Sequence, residues 1–390
     1  MRKKINLCVP GYSIFPDSAV YFLHEKNHQK DFIMEVFKFI HNRVLRLYSG
    51  GSGIDRLCGE AEPKDTRFPE DWIASCIEGN GRAYHSPGHG ISKIVYQGEI
   101  RSFPEFLREH ALALLGPEHL KRFGPEPAVL TKLLDSAERL PLQVHPTRAD
   151  AERLFHVHYG KTEAWIVLAT RKINGEEPYL LVGFNETFDR ETFYRESVEG
   201  EYKTGLSMLH KLNVKPGDVV IIRGGLPHAI GPGVTMVEVM EPSDLVIVPE
   251  INCCGVMLDV EKRFNGLGIE KGMSLFNFQP RTKQELLEYV SPKPETLEQN
   301  ENGTLSTLIP RSACGYFEAQ KLTFCEKWNL DLSRRLFRIG ILTEGSARLN
   351  TLEIKRGESF MIPYDSPEIT ITGNGTIVFV LPPEEENRHA

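Results

Sequence analysis

The chain of 390 residues carries 41% hydrophobic and 25% charged side chains, the balance of an ordinary globular protein rather than a disordered or fibrous one. Its 46 basic and 53 acidic residues leave a net charge of −7, with no dense Lys/Arg run of the kind nucleic-acid binders rely on. No apolar stretch approaches the roughly 18 residues of a bilayer span, and Met1-Arg2-Lys3-Lys4 is not followed by a long apolar run, so neither a membrane protein nor a secreted one is expected.

Near the start, Ile33, Val36, Phe37, Ile40, Val44 and Leu47 recur at steps of three and four, with Lys38, His41 and Arg43 between them. This spacing predicts an amphipathic helix, and residues 1–66 read as an N-terminal helical arm with its connector. Gly50-Gly51-Ser52-Gly53 breaks the pattern as a flexible connector; the competing reading, a phosphate-cradling loop, lacks the GKS or GKT tail such loops carry. From Arg101 to Leu140 the chain reads helical, opened by Ser102-Phe103-Pro104-Glu105 with a capping Ser, an early Pro and a following Glu. Residues 139–250 then read as short strands separated by turns, within a domain over 67–261 that includes the helical lead-in. The stretch 262–308 is expected to be a helical linker. A capping box, Thr282-Lys283-Gln284-Glu285, starts a helix there, and Ser291-Pro292-Lys293-Pro294 with the polar run Glu298 to Gly303 marks a boundary. Strands resume over 309–383, in a C-terminal β domain of residues 309–390.

The two strand-rich stretches resemble each other. Leu212-Asn213-Val214-Lys215-Pro216-Gly217-Asp218-Val219-Val220-Ile221-Ile222 parallels Leu352-Glu353-Ile354-Lys355-Arg356-Gly357-Glu358-Ser359-Phe360-Met361-Ile362, and each continues five residues later to a proline, Pro227 or Pro367. Apolar strand, Gly turn and apolar strand suit a hairpin in a small antiparallel barrel, so two such barrels are expected. His228 in the first copy corresponds to Glu368 in the second, and no ligand cluster precedes the second copy, so one barrel is expected to carry the chemistry.

The seven cysteines include no CxxC pair, which argues against a zinc ribbon or a thioredoxin-like motif. The vicinal Cys253-Cys254 reads as two buried thiols in a strand or turn, and reduced thiols fit a cytoplasmic protein.

Chemistry concentrates in Leu140-Pro141-Leu142-Gln143-Val144-His145-Pro146, then Gly160-Lys161-Thr162-Glu163-Ala164-Trp165, then Pro227-His228-Ala229-Ile230-Gly231. Gln143 and His145 are two apart, so on a strand both face one side, where Glu163 and His228 can join them from neighbouring strands. Two imidazoles, a carboxylate and an amide oxygen suit Zn²⁺, with Fe, Mn or Co as other occupants. A rival set is His156, His158 and Glu163 in an HxHxxxxE pattern closed by His228, although Asp150 to Phe155 reads as a short helical turn that leaves 156–158 at its loop exit.

The three motifs, in this order, resemble those of the type I mannose-6-phosphate isomerases, zinc enzymes of the cupin superfamily, and Glu70-Asp71-Trp72-Ile73-Ala74-Ser75 resembles that family's ExWxxS segment. The resemblance covers roughly residues 67–250 and implies a mainly β fold of two cupin-like (jelly-roll) barrels with helical insertions, the C-terminal one without metal ligands. It implies Gln143, His145, Glu163 and His228 as metal ligands, and Lys161 as a substrate-facing residue that shares catalytic work with Glu163. The implied reaction is isomerisation of mannose 6-phosphate and fructose 6-phosphate, or a related small sugar phosphate, through a cis-enediol. No nucleic-acid or membrane partner is implied.

Two positions depart from the family pattern. Pro141 stands where a phosphate-holding Ser is usual, and Val248 stands where the SDxxxR arginine would fall in Ser243-Asp244-Leu245-Val246-Ile247-Val248. Arg223, or else Arg263, is the substitute expected for substrate binding. Two other functions stay open on this reading: a metal-binding cupin that senses a sugar with little or no turnover, and an Fe-dependent oxygenase using the His156/His158 set.

Overall fold

In this computed structural model the described residues are 34–79 and 86–384. In chain order the strands begin with β1 (Phe37–Phe39), β2 (Arg43–Val44), β3 (Glu70–Ile73), β4 (Lys93–Tyr96), β5 (Glu99–Ser102) and β6 (Leu130–Asp135). Then come β7 (Glu163–Thr170), β8 (Tyr179–Phe184), β9 (Leu209–Asn213), β10 (Val219–Ile222), β11 (His228–Ile230) and β12 (Val234–Met240). The short hairpin β13 (Asn252–Cys253) and β14 (Val256–Met257) precedes β15 (Glu295–Asn300), β16 (Gly303–Ile309) and β17 (Glu318–Leu330). The last strands are β18 (Arg338–Leu349), β19 (Leu352–Lys355), β20 (Ser359–Ile362) and β21 (Ile369–Leu381).

The expected mainly β fold is present, and its strands form open sheets packed face to face rather than hydrogen-bonded closed barrels. In the first half a six-stranded sheet, β10-β7-β12-β6-β3-β2, faces the three-stranded sheet β11-β8-β9. Trp165, Val167, Leu134 and Met236 from the larger sheet meet Leu180, Val182 and Leu212 from the smaller one in a buried core. Strand alternation turns Leu133, Ala164, Ile166, Val237 and Val239 to the other face of the six-stranded sheet. There they pack on Ala319, Ile339, Ile341, Val378 and Val380 of a ten-stranded C-terminal sheet. The central sheet is thus buried on both sides, so β6, β7 and β12 are buried along most of their length, their polar positions Lys132 and Glu238 included.

The internal repeat is accurate to the register. Ile222 pairs with Glu163 and Val219 with Ile166, while Ile362 pairs with Arg338 and Ser359 with Ile341. The two glycine turns match as well. Gly217 N–H donates to Val167 O and Gly357 N–H to Leu342 O, both at 2.8 Å, from positive φ angles of 93° and 86°. A hairpin was expected at each turn. Instead β9 and β10 lie in different sheets, and β19 and β20 each pair with β18, so the turn carries the chain across a sandwich edge. The register also places Arg338 where the first copy has Glu163, so the second copy loses its carboxylate as well as its histidine.

Three expectations about elements change. Where a helix was expected over 33–47, the described residues form β1 and β2. The run Val36-Phe37-Lys38-Phe39-Ile40 also alternates with period two, and pairing decides between the periods. β1 lies between β20 and β4, burying Phe37 against Phe106 at 5.5 Å and Phe39 against Phe103 at 5.0 Å between ring centroids. Residues 1–33 of the expected arm lie outside the described residues.

The glycine loop is neither a flexible connector nor a phosphate cradle. It opens the helix Ser52–Cys58, and the N–H groups of Gly51 and Gly53 donate to Asp135 Oδ2 at 2.7 and 3.0 Å. A Cβ on Gly53 would lie 2.3 Å from Asp135 Oδ1. Asp135 itself is buried, accepts from the Thr235 hydroxyl and pairs with Arg171.

Finally, the linker contains the expected capped helix, Lys283–Val290 with the full Thr282/Glu285 box, but its polar end is the β15–β16 hairpin at the edge of the large sheet. The helical lead-in likewise ends at Phe123, and β6 follows it. Cys253 is buried in β13, and Cys254 sits in the turn beyond it with φ 52°.

Candidate metal centre and its cavity

Gln143 and His228 exchange backbone hydrogen bonds, 2.9 Å from Gln143 N–H to His228 O and 3.0 Å in return, while Val144 pairs with Ile247 on the other side. Alternation then turns Gln143 and His145 toward one face. Gly225, at φ 85°, donates its N–H to His145 O at 2.8 Å and pins the turn that precedes His228. Glu163 enters from the first position of β7, between Ile222 and Met240 of the neighbouring strands.

The three side chains meet. Glu163 Oε2 lies 3.2 Å from His145 Nε2, Glu163 Oε1 lies 3.4 Å from His228 Nε2, and the imidazole centroids are 4.8 Å apart. Each Nδ1–H donates to a backbone carbonyl, His145 to Leu245 O at 3.0 Å and His228 to Leu226 O at 2.8 Å. That fixes the tautomer and aims both Nε2 lone pairs inward. All three residues are buried, and they form a metal-capable group of His and Glu ligands among the described residues.

Electrostatics match this geometry. Burial, with His145 adding to it, pushes His228 down to about 3, and burial with Lys161 also lowers His145, so both rings are neutral at pH 7. Burial opposes ionisation of Glu163, but the Lys161 ammonium holds it well below the usual carboxylate range. The donor set fits a cation on two further observations. His228 Nε2 is buried without a hydrogen-bond partner, and the Lys161 ammonium stands between His145 Nε2 at 2.7 Å and Glu163 Oε2 at 2.6 Å.

Gln143, Lys161 and Glu163 line one end of a cavity that continues past Arg46, Tyr48, Glu70, Lys132, Glu238 and Asp244. Its polar wall is the inner face of the six-stranded sheet, where register sets Lys132 against Glu238 and Trp72. Lys132 Nζ lies 2.9 Å from Glu238 Oε1 and 3.5 Å from Glu70 Oε2. Arg46 donates from Nε to Glu70 at 2.9 Å and from its two terminal nitrogens to Asp244 at 3.2 and 3.1 Å. Burial would raise Glu70, but Arg46 and Lys132 hold it at about 2, while burial and the Glu163 charge raise Glu238 against the pull of Lys132. The apolar side includes Leu140, Ile230 and Val246, together with both departures from the motif pattern, Pro141 and Val248.

The structure therefore brings Gln143, His145, Lys161, Glu163 and His228 together. It places the other expected residues elsewhere. His156, at φ 57°, and His158 are exposed beyond the turn Ala151–Phe155 and outside the ligand cluster. Arg223 is spent on Tyr289 O at 2.5 Å and Ala313 O at 3.1 Å, and Arg263 on Pro249 O at 2.9 Å and Ser197 O at 2.5 Å; neither lines the cavity. The correction for Arg223 follows from alternation: Ile222 occupies the inner face beside Glu163, and the next residue turns away. Arg46, Lys132 and Glu238 were not singled out from sequence. The signal for Arg46 was a single charge inside the apolar run Val44-Leu45-Arg46-Leu47-Tyr48, which a helical reading of the same stretch conceals.

No family model matches the chain. Among curated proteins it is similar to mannose-6-phosphate isomerase ManA of Bacillus subtilis, 27% identical over 302 residues that cover 75% of this chain and 84% of that one. It is also 33% identical to mannose-6-phosphate isomerase of Streptococcus mutans over 211 residues, 53% of this chain and 58% of that one. Among solved structures, the mannose 6-phosphate isomerase from Bacillus subtilis matches over 89% of this chain and 99% of that one, with a TM-score of 0.68 and 19% identity. A variant of phosphomannose isomerase from Salmonella typhimurium matches over 90% of this chain and 100% of that one, with a TM-score of 0.69 and 18% identity.

Proposed function

From the premise that this chain is a homologue of the mannose-6-phosphate isomerases and shares their fold, we propose that it is a metal-dependent aldose–ketose isomerase acting on mannose 6-phosphate and fructose 6-phosphate, or on a closely related sugar phosphate. The observation that carries this reading is the convergence of His145, Glu163 and His228, with Glu163 also lining a cavity of mixed charged and apolar walls. Gln143, His145, Glu163 and His228 would hold the ion, and two neutral imidazoles with a carboxylate and an amide oxygen suit Zn²⁺ first. When bound, the metal supplies Lewis-acid polarisation of the sugar's carbonyl and hydroxyl oxygens.

The chain's own residues supply the rest. Lys161 places its ammonium at the ligand cluster, where it would donate to the oxygens on C1 and C2 of the open-chain sugar. Glu238 lines the same cavity with its pKa raised by burial, which suits a carboxyl group that carries the proton between C1 and C2 through a cis-enediol. Arg46 uses three of the five N–H groups of a guanidinium on Glu70 and Asp244, and the remaining two are available to the substrate phosphate. It thereby takes the part for which sequence reasoning nominated Arg223.

A second reading, a sugar-binding protein without turnover, is favoured by one observation. Val248 and Pro141 form cavity wall, and each cavity cation already has a carboxylate partner. A coupled assay separates the two. Mannose 6-phosphate should yield fructose 6-phosphate, and a chelator should abolish the conversion; stoichiometric metal with no conversion of any sugar phosphate would establish the second reading.

A further inference from the structure

A second set of reactive side chains lies outside the cavity, assembled from three separate segments. His41 follows β1, Cys58 is the last residue of the helix Ser52–Cys58, and Asp71 is in β3. Alternation along β3 sends Glu70 into the cavity and Asp71 to the opposite face. There Asp71 Oδ2 accepts the His41 Nδ1–H at 2.5 Å, and Asp71 Oδ1 accepts the Asn42 N–H at 2.6 Å. The carboxylate is 2% exposed and held from both sides, so the ring it grips has one orientation. That orientation points His41 Nε2 at the Cys58 sulfur, 3.8 Å away. The imidazole is 45% exposed, and the thiol is half-buried rather than sealed. Nucleophile, imidazole and orienting carboxylate are thus in sequence of contact, at the surface, in a place that the isomerase reading does not use.

We propose that Cys58, with the His41 imidazolium as its charge partner and Asp71 as the group that orients the ring, is an activated thiol that exchanges with low-molecular-weight disulfides. The Cys58 proton passes to water, the thiolate is held beside the His41 Nε2–H, and the sulfur attacks one sulfur of the incoming disulfide R–S–S–R. The Cys58–S–S–R bond forms as the original S–S bond breaks, and the departing thiolate takes a proton from water. The incoming disulfide is the oxidant and the released thiol is its reduced half, so no other reactant is needed. Support for the pairing comes from His41 itself, which the Asp71 and Cys58 hydrogen bonds raise to about 10 against the effect of burial. No other half-buried or exposed cysteine among the described residues has such a partner: Cys325 is exposed with only a 3.9 Å contact to Glu301 O, and burial raises the thiols of Cys76 and Cys254.

The test uses the whole chain and oxidised glutathione at neutral pH, with the modified sites read by peptide mass spectrometry. Cys58 should be modified at least about tenfold faster than Cys325, since thiolate character rather than exposure then sets the rate. His41→Gln should bring Cys58 down to the Cys325 rate and leave Cys325 unchanged, with Asp71→Asn giving an intermediate loss. A wild-type Cys58 that reacts no faster than Cys325 overturns the proposal without any variant. So does a His41→Gln protein, folded as judged by its unchanged Cys325 rate, in which Cys58 keeps its full reactivity.

Discussion

Each imidazole at the ligand cluster has its two nitrogens committed to different tasks, one to a backbone carbonyl and one to the open side facing Glu163. Loss of the inward nitrogen should therefore remove metal, whereas loss of an exposed histidine should not. His145→Ala is expected to abolish bound metal in elemental analysis, and His156→Ala to retain the wild-type amount. Arg46 is expected to act at the other end of the cavity. Arg46→Ala should raise KM for the sugar phosphate by roughly ten- to a hundredfold, the worth of a charge-assisted hydrogen bond or two, with metal content intact. Glu238→Gln should instead lower kcat by roughly a hundredfold or more while KM stays near wild type, because a group that moves a proton acts in the transition state. At this scale the motif residues were legible because three short signatures carry four donors and a lysine. Arg46, Lys132 and Glu238 were not, because each comes from a separate strand or loop and only sheet register brings them to one face.

Turns and caps were the most readable elements. The Thr282/Glu285 box forms as written, and the repeated Lys-Pro/Arg-Gly-Asp/Glu turn has the same positive-φ glycine in both copies. The segment over 33–47 was misread because its apolar residues satisfy a three–four spacing and a two-residue spacing at once, and only the neighbours β20 and β4 select the strand. The glycine loop was misread for another reason. A string of backbone N–H groups fits any oxyanion, and here the anion is the chain's own Asp135, distant in sequence. Its role predicts the response to substitution. Gly53→Ala places a methyl group 2.1 Å from Thr235 Oγ1, so it should displace the carboxylate and lower unfolding stability by about 3 kcal/mol, as loss of a buried charged contact does. Denaturant titration with and without the substitution measures this.

The two halves of the molecule share a continuous apolar layer, with Ile166, Val237 and Val239 from one side meeting Ile341, Val378 and Val380 from the other. Neither face is fit for water, so residues 34–384 should unfold as one cooperative unit in calorimetry. The charge network at the cavity sets the acid limit of that unit. Glu70 sits at about 2 in the folded protein against 4.5 unperturbed, and Arg46 and Lys132 hold Asp244 low as well. Their contribution is complete above the unperturbed carboxylate range, and it should fade as pH falls from about 4.5 toward 2, visible as a falling Tm. The most direct test of the whole account is a metal titration of the metal-free protein, with occupancy and the conversion of mannose 6-phosphate to fructose 6-phosphate followed in the same samples. Activity should rise in proportion to occupancy and saturate at one ion per chain, and His145→Ala should show neither. Full occupancy without conversion of any sugar phosphate, or conversion that persists without metal, would contradict it.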